Sequence, residues 1–331
     1  MSISLRVVWI LLCGLLAGAG SGVGTAYAQL GGSLSEFGFL RLDPSARGAA
    51  LGSSLTAVSD DDATAFYYNP ALASTDSGGH LLASYTDFIA DSQVGTLAYS
   101  YHVESVATVS AGVRYVDWGT FDGRDAAGVP TGDFQARDVA LTAGLAARAT
   151  DRLRYGVNVH LLYSAIESAR ATAAAVDAGM HAHWPERQWS VATSVHHVGR
   201  AFSSFGIERT SLPFDWRIGV AKQLSHVPVQ LSITGYDLHN AGTVLPDEGT
   251  AGQALAHLTF GIEAYLGDVL TLRTGYNHRR SRELVLNDRL DWAGFGGGFG
   301  IAVGPLRADY AYTSWSSFGG LHQISLQLGP S

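Results

Sequence analysis

From about residue 80 onward the chain alternates apolar and polar positions with a period of two. Val109, Ala111, Val113 and Tyr115 fall on one face of a segment whose other face carries Thr108, Ser110, Gly112 and Arg114, which is the signature of an extended strand with unlike sides. Tyr155, Val157, Val159, Leu161 and Tyr163 alternate in the same way with Arg154, Gly156, Asn158, His160 and Leu162. Trp216, Ile218 and Val220 oppose Asp215, Arg217 and Gly219, and Leu306, Ala308, Tyr310 and Tyr312 oppose Arg307, Asp309 and Ala311. The pattern predicts about fourteen strands, beginning near residues 80, 93, 106, 134, 152, 171, 187, 213, 227, 257, 269, 289, 305 and 320. Turn chemistry marks the breaks at Asp122-Gly123, Asp125 to Gly132, Pro185-Glu186, Pro246 to Gly252, Asn287-Asp288 and Gly319-Gly320.

A water-soluble sandwich alternates too, so the composition of the faces decides. Only 15% of residues are charged against 47% hydrophobic, and Lys222 is the single lysine of the chain. Tyr85, Tyr99, Tyr115, Trp118, Trp189, Trp216, Trp292 and Trp315 lie mostly toward strand ends, where a transmembrane barrel carries its aromatic girdles. The predicted fold class is therefore all-β, a single transmembrane antiparallel β-barrel of about fourteen strands. At nine to eleven residues per crossing, the wall needs roughly 140 residues, which leaves length for loops and for a segment inside. A net charge of −8 with 21 Lys and Arg spread along the chain excludes a nucleic-acid surface.

The compartment follows from the N-terminus. Arg6, the apolar run Val7 to Leu16 and Ala26-Tyr27-Ala28 before Gln29 form the pattern of a cleaved secretory signal over residues 1–28. The run is about ten residues, short of the roughly twenty a spanning helix needs. Cys13, the only cysteine, lies inside it, so the mature chain is expected to hold no disulfide or thiolate metal site. The expected location is the outer membrane.

Residues 29–79 lack strand alternation and read as a plug in the lumen of a barrel formed by residues 80–331. Asp43 is placed to cap a helical turn that starts at Pro44, runs through Ser45, Ala46, Arg47 and Leu51, and ends at Gly52. Asn69 precedes Pro70 and Ala71, which drives it to extended geometry just before the first strand. Arg47 inside a lumen needs a carboxylate, because an unpaired buried cation costs several kcal/mol; Asp309 and Asp215 are the expected partners.

The run Phe37-Gly38-Phe39-Leu40-Arg41-Leu42, then Asp43-Pro44-Ser45-Ala46-Arg47-Gly48-Ala49-Ala50-Leu51-Gly52, an acidic step and Tyr68-Asn69-Pro70-Ala71-Leu72 resembles the start of the PorV/PorQ family, closer to PorQ. These are outer-membrane barrels of the type IX secretion system, distantly similar to fatty-acid-transporter barrels. His322-Gln323-Ile324-Ser325-Leu326 resembles the family's closing strand, although the chain ends Gly329-Pro330-Ser331 rather than on an aromatic residue. The resemblance implies a barrel that does no bond chemistry and anchors a PorZ-like surface protein in an attachment complex with PorU and PorV, beside outer-membrane lipid and lipopolysaccharide, the barrel itself being monomeric within that hetero-complex. The alternative it implies is a fatty-acid-transporter-type channel for hydrophobic small molecules. The mark of that alternative is an apolar channel with a kink that opens laterally through the wall.

Other candidate chemistry is sparse. Asp60-Asp61-Asp62 lacks the spaced ligands of a calcium loop, and His181 and His183 have no evident third ligand for zinc. His196 and His197 point to opposite faces of one strand. Asn277 to Glu283 reads as a basic hairpin tip, and no serine, histidine and carboxylate spacing selects a catalytic triad. No catalytic, cofactor or metal site is expected. The longest loops, Asp117 to Asp133, Gly199 to Pro213 and His239 to Ala256, are expected outside the cell, with Phe121, Phe202 and Phe205 as candidate partner anchors.

Overall fold

A computed structural model describes residues 36–73, 78–88, 92–104, 106–125, 127–206, 210–240, 244–245, 248–284, 292–315 and 319–330. The signal segment and the Asn287-Asp288 turn lie outside these. The strands are β1 (Gly78–Asp87), β2 (Gln93–Val103), β3 (Ala107–Arg124), β4 (Pro130–Arg148), β5 (Leu153–Ile166), β6 (Ala169–Trp184) and β7 (Trp189–Ser203). They continue as β8 (Asp215–Gln223), β9 (Val229–Gly235), β10 (Leu258–Leu266), β11 (Leu270–Asn277), β12 (Phe295–Val303), β13 (Leu306–Ser314) and β14 (Gly320–Leu328). Each pairs antiparallel with its sequence neighbour, and β14 closes on β1 from Leu81 opposite Leu328 to Asp87 opposite His322. The chain is a closed fourteen-strand barrel. Thirteen strands begin within four residues of the expected positions, and β12 begins six later.

The two faces of the wall meet different solvents. Along β2, Val94, Thr96, Ala98 and Ser100 are buried, while Leu97, Tyr99 and Tyr101 are exposed. The exposed set over the whole barrel is large and apolar, and the buried set is rich in Ser, Thr, Asn and small residues. That inverts the arrangement of a water-soluble sheet and suits hydrocarbon outside with every backbone group paired within the wall.

The start of β1 and the end of β14 lie on one rim, which also carries the short turns 149–152, 185–188, 224–228, 267–269 and 304–305. Short turns mark the periplasmic rim of such barrels, and the opposite rim is extracellular. The stretch Asp117 to Asp133 is not a loop. Residues 117–124 belong to β3 and 130–133 to β4, strands of 18 and 19 residues that run past a bilayer as a hairpin. Asp125 Oδ1 accepts from the backbone N–H of Ala127 and Val129, both at 2.9 Å, and so moves the turn beyond Asp122-Gly123. Gly199 to Ser203 likewise remains in β7. The expected basic hairpin tip begins in β11 at Asn277 and continues as a helix, His278–Leu284, whose Arg279 is bound to Asp237 at 2.7 Å and to Glu283 at 2.9 Å.

Residues 37–73 run inside the wall. Ala46 N–H donates to Ser325 of β14 at 2.8 Å, Ser54 to the Thr259 carbonyl of β10 at 3.3 Å, and Asn69 to the Met180 carbonyl of β6 at 3.3 Å. From the wall side, Asn158 of β5 donates to the Phe66 carbonyl at 2.8 Å and Arg114 of β3 to the Leu40 carbonyl at 3.1 Å. Only an internal segment can touch strands so far apart around a barrel. Its first α-helix spans Ala46–Ala50 and is capped by Ser45, which is extended and accepts from Gly48 N–H at 3.3 Å. The cap thus sits two residues after Asp43, whose carboxylate instead takes the Ser53 hydroxyl at 2.7 Å. Gly52 follows at φ +61, and a β-carbon on Gly275 of β11 would lie 2.1 Å from the Leu51 carbonyl carbon, so glycine on the wall admits the segment's backbone.

Candidate functional site

Three zones line the interior. Toward the periplasmic rim, Arg47 meets Glu263 twice, at 2.9 and 2.6 Å, pairs with Asp60, and stands 3.5 Å from Asp62. Arg273 bridges Glu263 at 2.8 Å and Asp309 at 2.5 Å, and Arg307 bridges Asp309 at 2.9 Å and Asp62 at 3.4 Å. Three guanidinium groups and four carboxylates form one network. Burial would push the Arg47 guanidinium down, but Asp60 and Glu263 outweigh it and raise it well above its ordinary value. The expected partners of Arg47 are therefore corrected. Asp309 is reached only through Arg273 and Arg307, and Asp215 lies elsewhere, holding Arg217 at 2.6 Å. Of the acidic run, Asp62 also accepts from Thr64 N–H at 2.8 Å as a local cap.

Toward the extracellular rim the lumen is apolar. Val94, Val116, Ala140, Leu162, Ala171, Ala173, Ala175 and Ala201 of β2 to β7 surround Phe37, Phe39 and Leu40 of the N-terminal segment. Small alanines on β6 leave room for those rings.

Between the zones lies a polar floor around a cavity of ≈ 40 Å³, lined by Arg114, His160, Asp177, His196, His197 and Arg217 among others. Its geometry comes from a bulge. The β6–β7 register shifts between Val176 and Ala178, so that one residue, Asp177, faces two, His196 and His197. His197 takes φ +58, a left-handed conformation that histidine accepts more readily than most residues, and both histidines are buried inward. The reading that they point to opposite faces fails here, because the extra residue reverses the alternation. Asp177 Oδ1 accepts the backbone N–H of His197 at 2.7 Å, which satisfies the amide that the bulge takes from the ladder.

The same bulge ends the wall's pairing. Bonding of β7 to β8 stops at His196 opposite Asp215, and residues 197–203 continue with β6 alone. On the vacated side runs segment 210–214, joined by a hydrogen bond from His197 Nδ1 to the Pro213 carbonyl at 3.0 Å. A cavity of ≈ 370 Å³ lies there, lined by Val198, Gly199, Ala201, Thr210, Leu212 and Phe214, with His197 on both its boundary and that of the inner cavity.

Of the residues singled out in the sequence, Phe39, Leu40, Pro44, Ser45, Ala46, Arg47, Leu51, Gly52, Asn69, Pro70 and Ala71 are all buried within the barrel. Asn69 accepts from Ala71 N–H at 3.0 Å and donates to the Thr56 carbonyl at 3.1 Å. On the closing strand His322, Ile324 and Leu326 face outward, and Gln323, Ser325 and Gln327 face the N-terminal segment. Phe121 and Phe202 are exposed, whereas Phe205 is half-buried against the internal apolar cluster. His181 and His183 stack at 6.3 Å.

The sequence did not reveal Asp177, His160 and Glu263 as organising groups, although all three stand at inward positions of their strands, Asp177 after three alanines and Glu263 after Thr259 and Gly261. Nor did it reveal that Ser194, His196 and Asp177 stand in the order of a triad, with Ser194 Oγ 2.8 Å from His196 Nε2 and His196 Nδ1 3.2 Å from Asp177. Ser194 is buried and lines neither of the two cavities.

No protein-family model matches the chain, and no curated protein matches it by sequence. Solved structures do. The toluene transporter TbuX of Ralstonia pickettii aligns over 87% of this chain and 98% of its own, with a TM-score of 0.56 and 14% identity. The toluene transporter TodX of Pseudomonas putida covers 86% and 96% at 0.54 and 13%, and a Pseudomonas aeruginosa FadL homologue covers 86% and 98% at 0.51 and 12%. The chain has the fold of the FadL-type outer-membrane barrels. With its apolar outer face, it is an outer-membrane protein.

Proposed function

We propose that the chain is an outer-membrane channel for small hydrophobic molecules, with residues 37–73 as its plug, and that it performs no bond chemistry. The observation that carries this reading is the parting of β7 from β8 beside an apolar chamber. A hydrophobic molecule entering from outside meets the chamber now filled by Phe37, Phe39 and Leu40. Below it lie the polar floor and the ion network, where an apolar molecule gains nothing and the bound charges lose solvation. The cavity of ≈ 370 Å³ at the missing β7–β8 pairing offers instead a sideways exit into hydrocarbon. The test is uptake of radiolabelled toluene and oleate by cells expressing the chain. Faster uptake than in vector controls is expected, with Ala201→Trp returning the rate toward control while the folded barrel is retained. Equal rates in expressing and control cells would remove the channel reading.

A docking role is the second reading, favoured by the β3–β4 hairpin that stands beyond the bilayer. Phe121 and Phe134 stack on it at 5.4 Å, and Phe202 is 59% exposed nearby in sequence to the wall cavity. It accords with the PorV/PorQ resemblance and implies a PorZ-like protein, with PorU and PorV, as partners. Affinity purification from native outer membranes tests it, and an eluate without such a surface protein leaves the channel alone.

A further inference from the structure

We propose that His160, Asp177 and His197 form a binding site for a divalent transition-metal ion of the zinc class, at the bulge of β7. One ligand atom from each lies within 4.8 Å of the other two. The residues come from three consecutive strands, β5, β6 and β7, and all are buried. His160 Nε2 stands 2.7 Å from Asp177 Oδ2. Zinc–nitrogen bonds of about 2.0–2.1 Å put tetrahedral ligand atoms about 3.3 Å apart, a separation that the present ones bracket.

The surroundings match what metal-binding imidazoles require, namely that the ring nitrogen away from the ion is already held. His197 Nδ1 donates to the Pro213 carbonyl at 3.0 Å. A carbonyl only accepts, so the proton sits on Nδ1 and Nε2 keeps its lone pair, and Nε2 takes no hydrogen bond among the described residues. His160 Nδ1 is bonded to Thr142 Oγ1 at 2.9 Å. Asp177 is oriented by His197 N–H at 2.7 Å and by His196 Nδ1 at 3.2 Å. Its charge meets imidazoles and no guanidinium hydrogen bond among the described residues, while Arg217, on the same cavity, is matched by Asp215 at 2.6 Å. The cavity of ≈ 40 Å³ bordered by all three ligands admits the ion and leaves a fourth position for water.

A bound ion fastens the His197 ring, which forms the partition between the inner cavity and the cavity in the wall. The site does not depend on transport, so its test is separate. The tag-free folded barrel in detergent is titrated with zinc chloride by calorimetry and with cobalt chloride by visible absorption. One saturable equivalent with the spectrum of tetrahedral cobalt is expected. His160→Gln and His197→Asn should abolish it, asparagine being chosen because it tolerates the left-handed backbone at 197. Thr142→Val, which leaves the ligands in place, should weaken binding about 10- to 100-fold. His181→Gln with His183→Gln should leave it unchanged. Absence of saturable binding by the folded parent chain, or undiminished binding in both His160→Gln and Thr142→Val, overturns the proposal.

Discussion

Arg47 and Glu263 meet through two parallel hydrogen bonds, Nε to Oε1 at 2.9 Å and Nη2 to Oε2 at 2.6 Å, joining residues 216 positions apart. The fork of the guanidinium fits the carboxylate as a lysine ammonium cannot. Glu263 also holds Arg273 at 2.8 Å, so its removal leaves two arginines short of a partner in the barrel. Glu263→Ala is expected to weaken docking of the N-terminal segment by about 3–5 kcal/mol, the range for breaking a buried ion pair. Arg47→Met leaves Glu263 with Arg273 and should cost less. Limited proteolysis of residues 37–73 in detergent reads the effect. A Glu263→Ala segment as protected as the parent one would show that the network does not hold it.

Acid should loosen the same anchor. Burial pushes the Asp60 carboxyl up, but the charge of Arg47 outweighs it and holds the group below its ordinary value, about 3.9 for an aspartate. A carboxylate whose pKa is lower when docked stabilises docking above the ordinary value, and that contribution is lost as pH falls through the depressed one. The side chain is 32% exposed, so solvent screens part of the effect. A fluorophore on Ser59→Cys, the only thiol once residues 1–28 are removed, should give a constant signal from pH 8 to 5 and change below about pH 4. Asp60→Asn should abolish that transition, and a transition retained in the variant would assign it to another group.

The wall was legible in the sequence because its two faces meet different solvents, and every second residue of Val109 to Tyr115 or Tyr155 to Tyr163 registers the difference. Arg47 announced its need for a carboxylate, but its partner depended on register. Glu263 lies directly opposite Arg273 on β11, and Asp309 is already claimed by Arg273 and Arg307. His197 was illegible for a related reason. Strict alternation sends neighbouring residues to opposite faces, and the one-residue insertion that turns both His196 and His197 inward depends on Asp177 of the adjacent strand rather than on any local pattern. The chemistry of Asp122-Gly123 reads as a turn, yet the hairpin continues because Asp125 supplies a better one.

Ser194, His196 and Asp177 invite a test for hydrolase chemistry. A nucleophilic serine must be reachable and must have donors waiting for an oxyanion. Ser194 is 2% exposed and lines neither the inner cavity nor the one in the wall, so a fluorophosphonate probe is expected to leave the folded barrel unlabelled. Labelling lost in Ser194→Ala would reverse this and assign an esterase-like activity to the floor of the lumen.

Leu97 distinguishes hydrocarbon from water as the medium around the wall. It sits mid-strand on β2, 49% exposed, with Ala83 and Val113 opposite it on β1 and β3. On a water-facing sheet, exchange of such a residue for arginine changes stability within about 0.5 kcal/mol. At the midplane of a bilayer it costs about 2–4 kcal/mol. Thr96, one position earlier and buried inward, shows that the two faces are not interchangeable, since the strand puts the hydroxyl inside and the isobutyl group outside. Leu97→Arg is therefore expected to lower the free energy of urea unfolding in phosphocholine vesicles by about 2–4 kcal/mol, with the heat-modifiable band of the closed barrel still formed. A cost under about 0.5 kcal/mol would mean that water covers the face that these strands present to their surroundings.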